Sequence, residues 1–285
     1  RSKVKRGYQK SKLKNFRTSV IRFGSTIFPT YFTQKAYNHI VNPQVKKLRS
    51  HEMEILEQAV QNDILFEDFT IKTYTWNEGH EPILLIHGWE GQAGNFADLI
   101  EALIQGGYTV HSFDGPSHGF SSKGATSVLE FTQLVAVMIR RLQVKKLVSH
   151  SFGGVATTFA LWQNRDLKID KYALLTTPDR FTQRIDQVSA HVGISEKVKL
   201  RLIENLEREF DVVVGDLNVS DWVKEISVLQ ACIWHDRADK VIPLTQSQSV
   251  NETWPNAELR VVENTGHFRI LRTKEIIDSL VGFLK

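Results

Sequence analysis

A serine, an aspartate and a histidine that could perform nucleophilic catalysis together follow one another along the chain as Ser151, Asp239 and His267. A serine hydroxyl is a weak nucleophile until an imidazole accepts its proton, and a carboxylate then fixes the imidazole tautomer and stabilises the imidazolium. Such a set attacks acyl carbonyl groups. The chemistry it suggests is hydrolysis through a covalent acyl intermediate.

The segment around Ser151 is the most specific of the three. In residues 147–154, LVSHSFGG, a predicted strand runs through the serine directly into a predicted helix. Such a sharp turn needs small residues two positions on either side of its apex, and Ser149 and Gly153 meet that need. The turn would hold the hydroxyl outward, and the first amides of the helix would stabilise negative charge. The alternative is an ordinary N-cap serine.

This turn resembles the nucleophile elbow of the α/β-hydrolase family, although Ser149 stands where that family usually has glycine. Residues 83–89, ILLIHGW, are similar to the oxyanion loop of the same family. The resemblance implies that the backbone N–H groups of Trp89 and Phe152 stabilise the oxyanion, and losing one such donor typically costs about 3–4 kcal/mol. An ordinary strand-to-helix turn is the alternative for an isolated His-Gly pair.

A further turn of the family is similar to residues 113–121, FDGPSHGFS, with Ser117 in place of the usual glycine. The family uses this turn to brace the loop near the elbow. We therefore expect a structural role for it and no part in the chemistry.

Two aspartates compete for the role of the acid in residues 233–243, IWHDRADKVIP. In the family the triad carboxylate lies in a loop after a late strand, about four residues before a proline that opens the next helix. Asp239 has that spacing, and Asp236 is the alternative. Residues 262–268, VENTGHF, are similar to the family's histidine loop, which makes His267 the expected general base. A surface or capping histidine is the alternative.

Other histidines fall near predicted strand ends, where the loops of such a fold cluster. None has the paired spacing of a metal site, such as H-x-H or H-E-x-x-H, so we expect neither a metal nor a cofactor. These residues are His87, His111, His118, His150 and His235.

The elements that must position these residues alternate between strands and helices after Pro82, which predicts a mostly parallel sheet with helices on both faces. The fold class expected is therefore α/β, in the form of an α/β-hydrolase fold. Before Pro82, a helix over 51–62 and half-buried antiparallel strands over 64–76 are predicted. The predicted strands are 83–87, 108–113, 146–149, 172–176, 228–234 and 258–262, and the predicted helices are 93–105, 127–142, 152–163, 245–253 and 274–284.

One segment interrupts this alternation. Residues 178–221 contain two charged helical stretches, 180–191 and 195–210, and no convincing core strand. They are expected to form a helical cap inserted into the fold. The predicted organisation is a basic leader over 1–50, a core over 51–177 and 222–285, and the cap between the two parts of the core.

The leader carries most of the positive charge. Residues 1–50 contain 13 Lys+Arg and no Asp or Glu, whereas the remaining 235 residues contain 23 Lys+Arg and 32 Asp+Glu. No apolar run reaches 18 residues, so no transmembrane segment is predicted. The favoured interpretation is a leader packed as helices on the acidic remainder, with its charges in solvent. Basic residues mixed with aromatic ones also suit peripheral attachment to an anionic membrane surface, which is the alternative, and no nucleic-acid partner is expected.

The function expected from these residues is hydrolysis of a carboxylic ester, a small-molecule acyl substrate, by a serine enzyme with a cap. Thioester, amide, aminopeptidase and C–C bond hydrolysis use related machinery on the same scaffold and stay open. A hydrolase-like binding protein that has lost catalysis is a further alternative. The single cysteine, Cys232, lies in an apolar run and is expected to be a buried, inert thiol. A cytoplasmic location is expected. The alternative is a peripheral location in which residues 1–50 contact a membrane surface.

Overall fold

A computed structural model describes residues 17–285, which fall into two compact units. The sheet unit comprises Asn42–Asp179 and Asn218–Lys285. The helical unit comprises the described residues 17–41 together with Arg180–Leu217. Residues 1–16 of the predicted leader lie outside the described part of the chain.

An eight-stranded sheet, in the order β1-β2-β4-β3-β5-β6-β7-β8, forms the centre of the sheet unit. β1 pairs with β2 and β2 with β4 in antiparallel fashion, and all the other pairs are parallel. This confirms the predicted mostly parallel sheet. The strands are β1 (Val60–Phe66), β2 (Phe69–Trp76), β3 (Glu81–Ile86), β4 (Tyr108–Phe113), β5 (Lys146–His150), β6 (Lys168–Leu175), β7 (Ser227–Asp236) and β8 (Ala257–Val262).

The central strands are apolar on both faces because helices cover both. All side chains from Ile83 to Ile86 in β3 are inaccessible to solvent, and successive side chains of a strand point to opposite faces. On one face, β3 contributes Ile83 and Leu85 to a large apolar core. The sheet unit's helices are α3 (Ser50–Glu57), α4 (Ala97–Gln105), α5 (Val128–Leu142), α6 (Phe152–Gln163), α9 (Val219–Trp222), α10 (Leu244–Thr253), α11 (Gly266–Arg269) and α12 (Lys274–Leu284).

Local sequence explains where these helices begin and end. The side chain of Ser127 caps α5 by accepting the N–H of Glu130, whose carboxylate accepts the N–H of Ser127 in return. The predicted end of the helix over 51–62 is wrong. It stops at Glu57 because Val60 already pairs with Thr75 of β2.

The helical unit consists of α1 (residues 17–27), α2 (Pro29–Val41), α7 (Phe181–Val192) and α8 (Glu196–Phe210). α7 and α8 confirm the two helical stretches predicted within residues 178–221. We call the segment that leaves the sheet here the excursion. The N–H of Ser195 donates to Ser25 Oγ at 2.8 Å, so the start of α8 is bonded to α1. Among the described residues, no helix is both long and apolar enough to cross a membrane.

The excursion ends before α9, earlier than the end predicted at residue 221. α9 lies in the sheet unit, where the Trp222 ring stacks on Phe159 of α6 at 4.6 Å between centroids. The backbone N–H of Val219 donates to the carbonyl oxygen of Asp179, and the N–H of Ser220 donates to the Asp179 carboxylate. These bonds join the two points at which the chain leaves the sheet unit and returns to it.

Candidate active site

The sequence-predicted residues meet at the carboxyl edge of the parallel strands, where loops of α/β folds carry their functional groups. Ser151 follows β5, the His-Gly pair follows β3, Asp239 follows β7 and His267 follows β8. Residues far apart in sequence therefore lie in hydrogen-bonding distance of one another.

Ser151 occupies a strained turn between β5 and α6. Its φ of 54° and ψ of −124° lie in a region that non-glycine residues rarely adopt, as expected of a nucleophile elbow. The N–H of Ser151 donates to the carbonyl oxygen of Leu175 at 2.9 Å, which holds the turn in place. A Cβ at Gly153 would lie 2.5 Å from the carbonyl oxygen of Ile86, so only glycine allows this approach.

Ser149, the departure from the family's usual glycine, has a clear structural place. Its hydroxyl is fully buried and lies 2.8 Å from the hydroxyl of Tyr172 on the neighbouring strand β6. Burial raises the pKa of Tyr172 to about 12, so this phenol stays protonated and available for the bond. The pair satisfies two buried hydroxyl groups directly beneath the elbow.

A chain of hydrogen bonds joins the serine to the carboxylate through the imidazole. Ser151 Oγ lies 3.0 Å from His267 Nε2, and His267 Nδ1 lies 2.8 Å from Asp239 Oδ2. Because an ionised carboxylate only accepts hydrogen bonds, Nδ1 carries the proton and Nε2 is free to accept the serine proton. This is the arrangement in which an imidazole acts as a general base.

Asp239 is held in the charged form. Burial pushes its pKa upward, but the bond from His267 and the backbone N–H groups of Ile242 and Val241 outweigh it, so the pKa of Asp239 lies below its ordinary value. Its side chain is inaccessible to solvent. The carboxylate is therefore both fixed in position and ionised at neutral pH.

Asp236, the alternative acid, makes different bonds. Its Oδ2 accepts the backbone N–H groups of Thr265 and Gly266, and its Oδ1 accepts the N–H of Ala238. Although burial opposes ionisation, these backbone bonds hold the pKa of Asp236 below its ordinary value. Asp236 thus ties the loop after β7 to the loop that carries His267, whereas Asp239 contacts the imidazole itself.

The predicted oxyanion loop lies against the elbow. A Cβ at Gly88 would be 3.2 Å from the Ser151 Cβ and 3.5 Å from the backbone nitrogen of Phe152. The side chains of Trp89 and Phe152 contact each other edge to face, with centroids 5.3 Å apart. Within residues 17–285, neither the backbone N–H of Trp89 nor that of Phe152 donates to a protein acceptor. Both donors are thus available beside the serine.

The turn after β4 braces this region through Asp114. Its carboxylate accepts the hydroxyl of Tyr74 at 2.9 Å and the backbone N–H groups of Ala93 and Phe120, each at 2.8 Å. These bonds connect β2, the turn before α4 and the turn after β4. Ser117, which replaces the family's glycine, adopts a positive φ of 64°.

Buried histidines surround the site and are neutral. His87 and His118 accept backbone N–H groups at Nε2, from Gly115 and Glu90 respectively. Burial is the main cause that lowers the pKa of His118 to about 3, and burial also lowers that of His87. Across the described residues, no group of three His, Cys, Asp or Glu side chains is arranged to hold a metal ion.

The family model of the alpha/beta hydrolase family matches residues 83–279, which is more than half of the chain. The chain belongs to this family. In the human "Serine hydrolase-like protein", 103 residues are 34% identical and cover 34% of this chain and 50% of that protein. In a pimeloyl-[acyl-carrier protein] methyl ester esterase of Xanthomonas campestris pv. campestris, 133 residues are 29% identical and cover 46% of this chain and 50% of that protein.

A solved structure agrees with the fold of this alpha/beta hydrolase. An esterase from Pyrococcus furiosus superimposes with a TM-score of 0.66 at 18% identity, and the match covers 86% of this chain and 97% of that one. At this identity the likeness concerns the fold. The sequence matches span about half the length of the curated relatives.

Sequence reasoning missed two residues of this alpha/beta hydrolase that act on the histidine loop. Asp236 appeared only as a rival acid, and His150 appeared only among the histidines near strand ends. The imidazole of His150 donates from Nε2 to the backbone carbonyl oxygen of His267 at 2.9 Å. Its position next to Ser151 was visible in the sequence, but its partner 117 positions away was not.

Proposed function

We propose that this protein is a serine hydrolase that cleaves carboxylic esters through an acyl-enzyme. The observation that carries the proposal is the position of His267, whose two ring nitrogens lie 2.8 Å from the Asp239 carboxylate and 3.0 Å from the Ser151 hydroxyl. An exposed or capping histidine needs neither bond. An N-cap serine would be bonded to its own helix, and Ser151 makes no side-chain cap bond.

In the proposed mechanism, Ser151 Oγ attacks the acyl carbonyl carbon while His267 Nε2 takes the hydroxyl proton. The carbonyl oxygen becomes negatively charged and accepts hydrogen bonds from the backbone N–H groups of Trp89 and Phe152. The imidazolium then gives its proton to the departing alkoxide, and the C–O bond of the ester breaks. Water, deprotonated by His267, hydrolyses the acyl-enzyme by the same steps. Asp239 stabilises the imidazolium in both halves.

Ester hydrolysis is favoured over the related chemistries by the relatives. The Xanthomonas protein, which matches part of this chain in sequence, is named as a methyl ester esterase, and the Pyrococcus structure, which shares the fold of this chain, is named as an esterase. Thioester hydrolysis is the nearest alternative because the same nucleophile and oxyanion donors serve it. Activity on matched esters and thioesters of one acyl group separates the two.

Aromatic side chains around the serine support an apolar substrate. Trp89 and Phe152, both half-buried, carry the proposed oxyanion donors. Phe268, beside His267 at 4.9 Å between ring centroids, keeps 59% of its surface exposed. An apolar acyl or alkyl group would cover these rings and remove them from water, at about 25 cal/mol for each Å² of apolar surface.

We further propose that the excursion, Arg180–Leu217, acts as a cap that governs which esters are accepted, and that the basic leader places the enzyme at an anionic membrane surface. The excursion is helical and adds no strand to the sheet. A cap of this kind would alter chain-length preference without altering the chemistry of the acyl transfer.

The proposed activity is tested with p-nitrophenyl esters of increasing acyl length and with a fluorophosphonate probe. The wild-type chain should release p-nitrophenol and take up one probe per molecule, whereas Ser151→Ala should do neither. A matched control is Ser149→Gly, which keeps the nucleophile and restores the family's usual residue. A wild-type chain that takes up no probe and hydrolyses no ester would instead be a hydrolase-like binding protein.

A further inference from the structure

The helical unit has an apolar stripe on its outer side. Val20, Phe23 and Ile27 recur at intervals of three and four residues, which places them along one side of α1, and Tyr31 follows four residues later in α2. Phe28 lies between the two helices and accepts the N–H of Phe32 at its carbonyl oxygen. All are exposed, Phe23 by 70% and Phe28 by 63%. We call these five apolar residues the docking face: Val20, Phe23, Ile27, Phe28 and Tyr31.

The same helices bury polar residues on their inner side. Ser25 is fully buried, donates to the carbonyl oxygen of Arg22 and accepts the N–H of Ser195. Thr33 is also buried, with its hydroxyl bonded to the carbonyl oxygen of Pro29. Small hydroxyl residues inside and large aromatic residues outside reverse the usual pattern of a surface helix. An exposed apolar patch of this kind indicates a binding surface.

Cations accompany the docking face. Arg17 is exposed one helical turn before Val20, and Lys35 Nζ lies 5.8 Å from the Tyr31 ring centroid. The 16 residues that precede Arg17 in the sequence contain seven further Lys+Arg, and residues 1–50 contain no acid. The partner must therefore offer negative charge together with an apolar layer. A second copy of this chain, placed docking face against docking face, would bring the same positive charges and meet them with repulsion.

We propose that the docking face binds the surface of an anionic lipid bilayer. The five apolar side chains enter the boundary between headgroups and acyl chains, while the flanking Lys and Arg meet lipid phosphate and carboxylate groups. Because the cations act through screened electrostatics, attachment weakens as salt rises. The docking face lies within the leader and would be the part of it that enters the membrane. This proposal rests on the helical unit alone and does not require that Ser151 be a nucleophile.

The test is cosedimentation of the full chain with vesicles of phosphatidylcholine alone or with 30% phosphatidylserine, at about 0.05 and 0.5 M salt. The wild type should pellet with the anionic vesicles at low salt. Phe23→Asn/Ile27→Asn should lower its apparent affinity about tenfold or more, since each change removes an apolar side chain that the lipid would bury. The matched control, Leu65→Asn/Leu229→Asn, removes two exposed apolar residues from the sheet unit, Leu65 being 86% and Leu229 68% exposed, and should pellet as the wild type does.

Four outcomes overturn the proposal. The wild type fails to pellet with anionic vesicles, or Phe23→Asn/Ile27→Asn pellets as well as the wild type, or the docking-face change converts a dimer into a monomer without lipid. Binding to a single-stranded oligonucleotide in place of vesicles would identify a nucleic-acid surface and also overturn it. Circular dichroism confirms that the variant is folded. Ester hydrolysis measured on the same samples separates failure of this proposal from failure of the proposed function.

Discussion

His150 Nε2 lies 2.9 Å from the backbone carbonyl oxygen of His267. His150, which precedes Ser151 in the chain, therefore holds His267, the residue that would deprotonate Ser151. The carbonyl can only accept, and the imidazole of His150 must donate. The two rings also contact each other, with centroids 5.0 Å apart. Burial is the main cause that lowers the pKa of His150 to about 3, so the ring keeps one proton across the physiological range. His150 is a positioning residue.

We predict that His150→Ala lowers kcat for ester hydrolysis by about 10- to 100-fold with little change in KM, because a small displacement of a catalytic group costs rate. His150→Gln, which retains a donor, should recover part of that loss. His111→Ala serves as the control, since His111 lies on β4 and is bonded to Thr75. Equal losses in His150→Ala and His111→Ala would show a general effect of histidine removal.

Substitution by asparagine should affect kcat very differently at Asp239 and at Asp236. Asp239→Asn removes the charge next to the imidazole and favours the wrong tautomer, which can cost about 10⁴ in kcat. Asp236→Asn cannot fully replace the acceptor for Thr265 and Gly266, so it should lower the free energy of unfolding by about 1–3 kcal/mol and reduce kcat far less. Steady-state kinetics and urea unfolding of both variants check this. The reverse ranking in kcat would make Asp236 the acid.

Buried neutral histidines should make the fold sensitive to acid. The pKa of His118 and of His150 is about 3 in the folded chain against an ordinary 6.5, so the unfolded chain binds more protons between these values. The free energy of unfolding should fall as pH drops below 6.5, by roughly 2 kcal/mol per histidine at pH 5. His118→Gln/His150→Gln should flatten this dependence in urea titrations at pH 7 and 5. If the free energy of unfolding of the variant fell between pH 7 and 5 as steeply as that of the wild type, His118 and His150 would not be the cause of the acid sensitivity.

Sequence predicted the sheet and the residues at its edge because both depend on local patterns. Apolar runs mark strands buried on both faces, and small residues around Ser151 mark a turn that only they permit. The end of α3 was missed because the pairing of Val60 with Thr75, a tertiary contact, overrides a helical pattern.

The parts of the site that the sequence did not predict depend on hydrogen bonds between residues far apart in the chain. Nothing near Asp236 in the sequence shows that its carboxylate accepts N–H groups from a loop 29 residues later. The spacing of Asp239 to the following proline favoured it as the acid, but its bond to His267 depends on how β7 and β8 align. The inner and outer sides of α1 could not be assigned either, because its inner side buries hydroxyl groups.

The sheet unit should fold without the helical unit. A chain that begins at Asn42 and replaces residues 180–217 by a short glycine linker keeps every strand and also α9. The bonds of Val219 and Ser220 to Asp179 hold the two joined points together. We expect cooperative unfolding, retained probe uptake at Ser151 and altered acyl-length selectivity. An insoluble or non-cooperative product would mean that the helical unit is part of the core.

Probe uptake at Ser151 tests the central claim most directly. The full chain is incubated with a fluorophosphonate at neutral pH, digested and analysed by mass spectrometry, beside Ser151→Ala and His267→Gln. The account predicts one adduct on Ser151 in the wild type, none in Ser151→Ala, and uptake slowed by orders of magnitude in His267→Gln, because the serine then lacks its base. No adduct in the wild type, or an adduct on another residue that persists in Ser151→Ala, would contradict it.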